Sequence, residues 1–212
     1  MLVQDRNEIN AAAPHISHSG SRSLFRHWEA LRAERPCPDR NEITFAGLAN
    51  VVSNVAILDR GPDGKWQYRL AGSAVCAMLG GNVTGKAVLA SFNSFESEVI
   101  GRVLNIAEER LQPGLIQLRL VDEVGSVTSV ELLILPVLNS STSKAQLICG
   151  FFELSRSGAE LPVGNVHVEL FSARLIWTEH QDRKPNATPL PLVFGKPVTQ
   201  SKLRIIQGGL TK

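Results

Sequence analysis

The chain has 212 residues, of which 43% are hydrophobic and 20% charged; this is the balance of one ordinary globular domain with extensions, and it excludes a wholly disordered chain, a coiled coil or a collagen-like fibre. A folded body of roughly 130 residues buries about two-thirds of the surface of its unfolded chain, so neither a metal nor a disulfide is needed to hold it. The formal charge of +2 does not demand nucleic acid, although it is uneven, with 14 Lys and Arg against 16 Asp and Glu up to residue 154 and 8 against 4 beyond it.

Residues 1–20 are polar, rich in Ala, Ser and His, and read as a flexible lead. Residues 21–50 form an N-terminal helical segment. Ser21 or Ser23 can cap a helix on which Leu24, Phe25, Trp28 and Leu31 recur at helical spacing. That helix must stop before Pro36 and Pro38, because a proline disfavours helical dihedrals in its predecessor. A second short helical piece is expected over Thr44 to Asn50.

Residues 51–154 form the core unit. Val51 to Asp59 is β-rich, Gly61-Pro62-Asp63-Gly64 is a turn, and Trp66 to Ala71 alternates as a second strand. Ala74 to Leu79 is a short helix, and Phe95 to Leu111 the longest one, stopped by Gln112-Pro113-Gly114. Strands then follow over Leu115 to Val121, Val127 to Leu138 and Gln146 to Leu154. This order predicts an α+β fold with an antiparallel sheet covered on one face by helices. Residues 155–212 form a mildly basic extension with Pro185, Pro189, Pro191 and Pro197. It reads as an extended arm, with one strand over His167 to Ile176 and a short edge strand at Leu203, Ile205 and Ile206.

No apolar run is long enough to span a membrane. Asp5, Arg6 and Glu8 open the chain with no apolar stretch behind them, so no secretory signal is expected. Cys37, Cys76 and Cys149 are odd in number and far apart, which suits reduced thiols in a cytoplasm better than a disulfide framework. No basic stripe interleaved with aromatics suggests nucleic-acid binding.

Gly80-Gly81-Asn82-Val83-Thr84-Gly85-Lys86-Ala87 matches a phosphate-binding loop up to its last position, where the magnesium-binding hydroxyl is replaced by Ala87. The motif also needs a buried parallel strand before it, where Ala74 to Leu79 reads as helix. A nucleotide-binding enzyme using residues 80–87 is therefore a minor alternative. His15-x-x-His18 falls in the lead with no further ligands at metal spacing, so no metal site is expected. His27, His167 and His180 are isolated, and no nucleophile elbow is present. Catalytic residues are not expected.

Several short motifs occur in order: Trp28-x-x-Leu31-Arg32, Arg35-Pro36-x-Pro38-x-Arg40-x-x-Ile43, Leu58-Asp59, Tyr68-Arg69-Leu70-Ala71-Gly72-Ser73, Leu79-Gly80 and Val83-Thr84-Gly85. Over about residues 23–154 the chain resembles a bacterial family of stand-alone PAS-like proteins. These open on a Trp-x-x-Leu-Arg helix, pass a Pro-x-Arg turn and continue through a Tyr-Arg-Leu-Ala-Gly strand. The resemblance implies a five-stranded antiparallel PAS-like sheet with helices on one face, plus the N-terminal amphipathic helix. It also implies a sensory or regulatory role in signal transduction without catalysis, acting through a protein partner. Contact with that partner is expected through the sheet surface or the amphipathic first helix (Leu24, Phe25, Trp28, Leu31), and the helix is also a candidate dimer surface. The alternative is a small-molecule sensor with its pocket between the long helix, residues 95–111, and the sheet.

Trp28, Leu31, Arg32, Pro38, Arg40, Arg69 and Gly72 are the signature positions, structural or interacting. Arg69 is either a surface charge or ion-pair residue, partnered by a carboxylate such as Asp59, or a group presented to a ligand. No cofactor is expected. Haem-binding members take an imidazole from the long helix, and Phe95 to Leu111 contains no His. Flavin photosensors of the fold carry an Asn-Cys-Arg-Phe motif, whereas Cys76 lies in Val75-Cys76-Ala77-Met78.

Overall fold

The computed structural model describes residues 15–44, 48–140, 144–157 and 165–178. Helix α1 covers Ser19–Arg32; β1 (Val55–Arg60) and β2 (Trp66–Ala71) form a hairpin; α2 (Ser73–Met78) and α3 (Ser94–Arg110) follow. The chain then runs through β3 (Gly114–Val121), β4 (Val127–Asn139), β5 (Lys144–Arg156) and β6 (His167–Leu175). The strands form one antiparallel sheet in the order β2-β1-β5-β4-β3-β6. The fold is α+β, as predicted. The tail contributes a sixth strand, paired with β3 from Gly114↔Leu175 to Val121↔His167, beyond the five that the resemblance implies.

Both faces of the sheet are covered, and β4 shows why. Its Val130, Leu132 and Ile134 join the core under α2 and α3, while Leu133, Leu135 and Val137 join a second core under α1. A strand buried on both faces reads as a continuous apolar run, which is how Leu132 to Leu135 reads. Helix α3 supplies Val99, Ile100, Val103, Leu104 and Ala107 to the first core, and α1 supplies Leu24, Phe25 and Trp28 to the second. Helix α1 packs closely on β5 because Gly150 lies beneath it. A Cβ there would sit 2.7 Å from Leu24 and 2.6 Å from Phe152.

Helix α1 starts earlier than the sequence suggests. Its cap is His18, whose Nδ1 accepts the Gly20 N–H at 2.9 Å, and not Ser21 or Ser23. Ile16 and Gly20, read as part of the lead, are buried. The anchor is Glu131 of β4, fully buried, whose two carboxylate oxygens accept the N–H groups of Ser17 (2.7 Å) and His18 (2.9 Å). A carboxylate on the free N–H groups of a helix entry satisfies both partners in a water-free place. The His18 ring stacks on Phe152, 5.0 Å between centroids.

The first strand also starts later than expected. Val51 precedes and Val52 opens a 3-10 turn over Val52–Asn54, and pairing with β5 begins only at Val55↔Gly150. Another 3-10 turn covers Arg40–Glu42. Residues 45–47, within the expected Thr44 to Asn50 piece, lie outside the described residues, as do the expected strand at 203–206 and the four tail prolines.

The remaining constraint lies at the end of β3. Its last pair with β4 is Gly114↔Ile134, so β4 runs on to Asn139 with no β3 beside it. Pro136 falls in this stretch, where a missing N–H leaves no broken ladder. Its carbonyl accepts the Trp28 indole N–H at 2.7 Å, and two residues on the Leu138 N–H donates to Pro38 O at 3.0 Å. Asp39 completes the repair as a parallel bridge to Leu138. Replacing Trp28 with Phe keeps an apolar ring but leaves the Pro136 carbonyl unpaired. Urea unfolding of Trp28→Phe is expected to show a loss of about 1–3 kcal/mol with an unchanged slope; a loss under about 0.5 kcal/mol would contradict this role.

Candidate functional site

A cavity of about 70 Å3 lies between α3 and the sheet, the position named for the pocket of the alternative, sensor reading. Leu58, Tyr68, Leu118, Leu132 and Phe151 form its floor, Ile100 and Leu104 its α3 wall, and the segment from Lys86 to Phe92 its lip. Drug-sized ligands occupy roughly 300–1,000 Å3, so a haem or a flavin does not fit this space. Its polar lining residues are Tyr68, Lys86 and Ser91, of which Tyr68 is buried and the other two exposed. The Tyr68 ring lies 6.5 Å from that of Phe151, and its hydroxyl has no hydrogen-bond partner among the described residues. Burial, with a smaller contribution from nearby Cys149, raises the phenol pKa, so the group is a protonated donor at neutral pH.

The degenerate phosphate loop, residues 80–87, leads into this lip, and its geometry is not that of a phosphate cradle. Gly80 and Gly81 N–H donate to Ala77 and Cys76 carbonyls, and Thr84 N–H to Asn82 Oδ1. Gly85 N–H donates to Tyr68 O and Lys86 N–H to Val83 O, so these groups do not face a ligand. The loop follows α2 and leads into a 3-10 turn, Val88–Ser91, in place of the strand and helix that a phosphate loop joins. What the loop does instead is pin the outer edge of β2, with Tyr68 N–H donating to Lys86 O at 3.1 Å. That contact fixes Tyr68 against the cavity.

The signature residues do not gather at the cavity. Trp28, Leu31, Arg32, Pro38 and Arg40 lie along α1 and the segment that closes the free end of β4. Arg32 is buried, 5.4 Å from the Trp28 ring, and donates to Glu29 (2.8 Å) and to Arg35 O (2.9 Å). Leu31 is half-buried and Pro38 buried. Arg40 opens the 3-10 turn that Asp39 and Glu42 cap reciprocally, and its own side chain is half-buried. The Asn41 N–H on Asp39 and the Arg35 guanidinium on Glu42 hold these two carboxyls below their usual pKa range.

Arg69 pairs with Asp59 at 3.1 Å on the hairpin surface, and Asp59 also accepts Gln146 Nε2 at 2.8 Å. Gly72 precedes α2, where a Cβ would lie 2.3 Å from Ser53 O; only glycine fits this approach. The apolar face of α1, expected to be available for contact, is turned onto the sheet, with Leu24, Phe25 and Trp28 at most 2% exposed. Contact through it requires α1 to leave the sheet.

Among the described residues no three His, Cys, Asp or Glu side chains are placed to share a metal ion, and no helix is long and apolar enough to cross a membrane. Sequence reasoning missed Tyr68 as a cavity group and Glu131 as the α1 anchor. Glu131 had a signal, a lone carboxylate inside the run Val130 to Leu135.

Residues 16–153 match the family profile described as a PAS domain, and the chain belongs to that family. PAS domains are in general sensory and regulatory modules. No curated protein matches the chain. The match ends at residue 153, so β6 lies outside the matched residues.

The thiols follow from their burial. Burial pushes Cys37 up to about 11 and raises Cys149 strongly, so both stay neutral thiols at neutral pH. With iodoacetamide at pH 8, mass spectrometry of the native protein is expected to find these two unmodified and half-buried Cys76 as the first to react. Modification of Cys149 before global unfolding would contradict the packing of β5.

Proposed function

We propose that the chain is a non-catalytic sensory or regulatory PAS module whose output passes through protein–protein contact, at the edge formed by β6 and the start of α3. Membership of the PAS family supports the class of behaviour. The observation that carries the choice of surface is a pair of large exposed side chains, Phe95 on α3 (52% exposed) and Phe171 on β6 (59%). Glu96, the residue after Phe95, accepts the N–H of Leu170, the residue before Phe171, at 3.1 Å. Aromatic side chains are enriched at protein–protein interfaces. The partner is a second protein or a second copy of this chain, in a setting that keeps Cys37, Cys76 and Cys149 reduced, as in a bacterial cytoplasm. In this reading Trp28, Leu31, Arg32, Pro38 and Arg40 act as structural positions that hold α1 and the turn after it, and Arg69 and Gly72 as structural positions of the hairpin and the entry to α2.

A second reading, that of a small-molecule sensor, is favoured by the cavity and the unpaired Tyr68 hydroxyl. The two are compatible, because Ile100 and Leu104 line the cavity on the same helix that carries Phe95.

Crosslinking of the full chain in cells, followed by mapping of the linked peptides, tests the surface. Links are expected in β6 and the first turn of α3, and they should disappear in a Phe95→Ser, Phe171→Ser double variant whose melting temperature is unchanged. Links that persist in that variant, or that map to α1, would overturn the assignment.

A further inference from the structure

We propose, resting on the sensor reading above, that the cavity behind the Lys86–Phe92 lip takes a small neutral molecule of roughly three to five heavy atoms bearing one oxygen acceptor for the Tyr68 hydroxyl, of the class of short alcohols, aldehydes and ketones.

Size sets the first limit. An apolar cavity of about 150 Å3 accommodates benzene, with six heavy atoms, and this one is about 70 Å3. Charge sets the second. Lys86 is the charged residue among the lining side chains and is itself exposed at the lip, so the interior walls offer nothing to a buried charge. The third limit is the hydroxyl. Tyr68 is 6% exposed and no hydrogen bond joins its O–H to a described residue, yet its oxygen is not one of the sealed, unpartnered polar atoms of the interior, so the donor is open to whatever occupies the space beside it. A ligand oxygen satisfies it, and the aliphatic remainder lies against Leu58, Ile100, Leu104 and Phe151. A ligand this small binds with a Kd on the order of tens of micromolar at best, suited to a metabolite or solvent-like signal present at high concentration.

The test uses the full chain, with methyl NMR of Ile100 and Leu104 as the readout. The probes are ethanol, propan-1-ol, butan-1-ol and hexan-1-ol, together with xenon as an apolar probe that accepts no hydrogen bond. Saturable shifts are expected for propan-1-ol and butan-1-ol, with hexan-1-ol weaker by about tenfold or more as it outgrows the space. Tyr68→Phe is expected to fold at least as well as the parent, since its hydroxyl has no protein partner. It should weaken propan-1-ol by about tenfold and leave xenon unchanged. Ala87→Leu, which fills the lip without touching Tyr68, should abolish binding of every probe.

Equal propan-1-ol affinity in Tyr68→Phe would overturn the hydrogen bond. Tightest binding by hexan-1-ol would overturn the size class while leaving the sensor reading intact. Full binding in Ala87→Leu would overturn the location. Failure of xenon and all four alcohols to bind would overturn both this proposal and the sensor reading.

Discussion

The structure depends on a mismatch in strand length. β4 pairs with β3 only as far as Ile134 and continues to Asn139, leaving main-chain groups of a central strand without a neighbour. Unpaired main-chain groups under a packed helix are costly. The sequence answers with three devices from distant parts of the chain. Pro136 removes one donor, the Trp28 indole N–H satisfies that residue's carbonyl, and Pro38 O takes the Leu138 N–H. The spacing Trp28, Pro38, Arg40 is thus set by the distance from the middle of α1 to the free end of β4. The ion pairs Arg32–Glu29 and Arg35–Glu42 brace the turn between them.

From this repair follows the use of the two faces. With α1 fixed over β4 and β5 by Trp28 at one end and by Glu131 at the other, that face is a second core. The opposite face, under α3, contains the cavity. Helix α3 touches both regions: its middle lines the cavity and its first turn meets β6 at Glu96 and Leu170. In the proposed reading, an occupant that shifts Ile100 or Leu104 would act on the helix that carries Phe95.

Much of the architecture was legible because it rests on local signals. Alternation in Trp66 to Ala71, the Gly61 to Gly64 turn and the apolar stripe of Phe95 to Leu111 gave elements within a residue or two of those observed. The start of α1 was misjudged because its capping group is a histidine and its anchor a glutamate more than a hundred residues away. No local pattern carries such a contact. Val51 and Val52 have strand-forming side chains, but a strand needs a partner, and β5 offers one only from Val55. The cavity was placed in the right layer by the expected helix and sheet. Its contents were not legible, because the cavity is lined by residues from β1 to β6, α3 and the segment after the loop, which only the folded chain brings together. The motif most suggestive of chemistry, residues 80–87, proved to be an edge clamp for β2.

Native-state hydrogen exchange at Leu138, Ser17 and His18 tests the central claim that α1 and its following turn are integral to the sheet. If they are, these amides exchange only through global unfolding, with the same free energy and denaturant dependence as the core amides of β4 and β5. Exchange at all three through a smaller, common opening, while the β4 and β5 core stays protected, would show that α1 detaches on its own and would contradict the account.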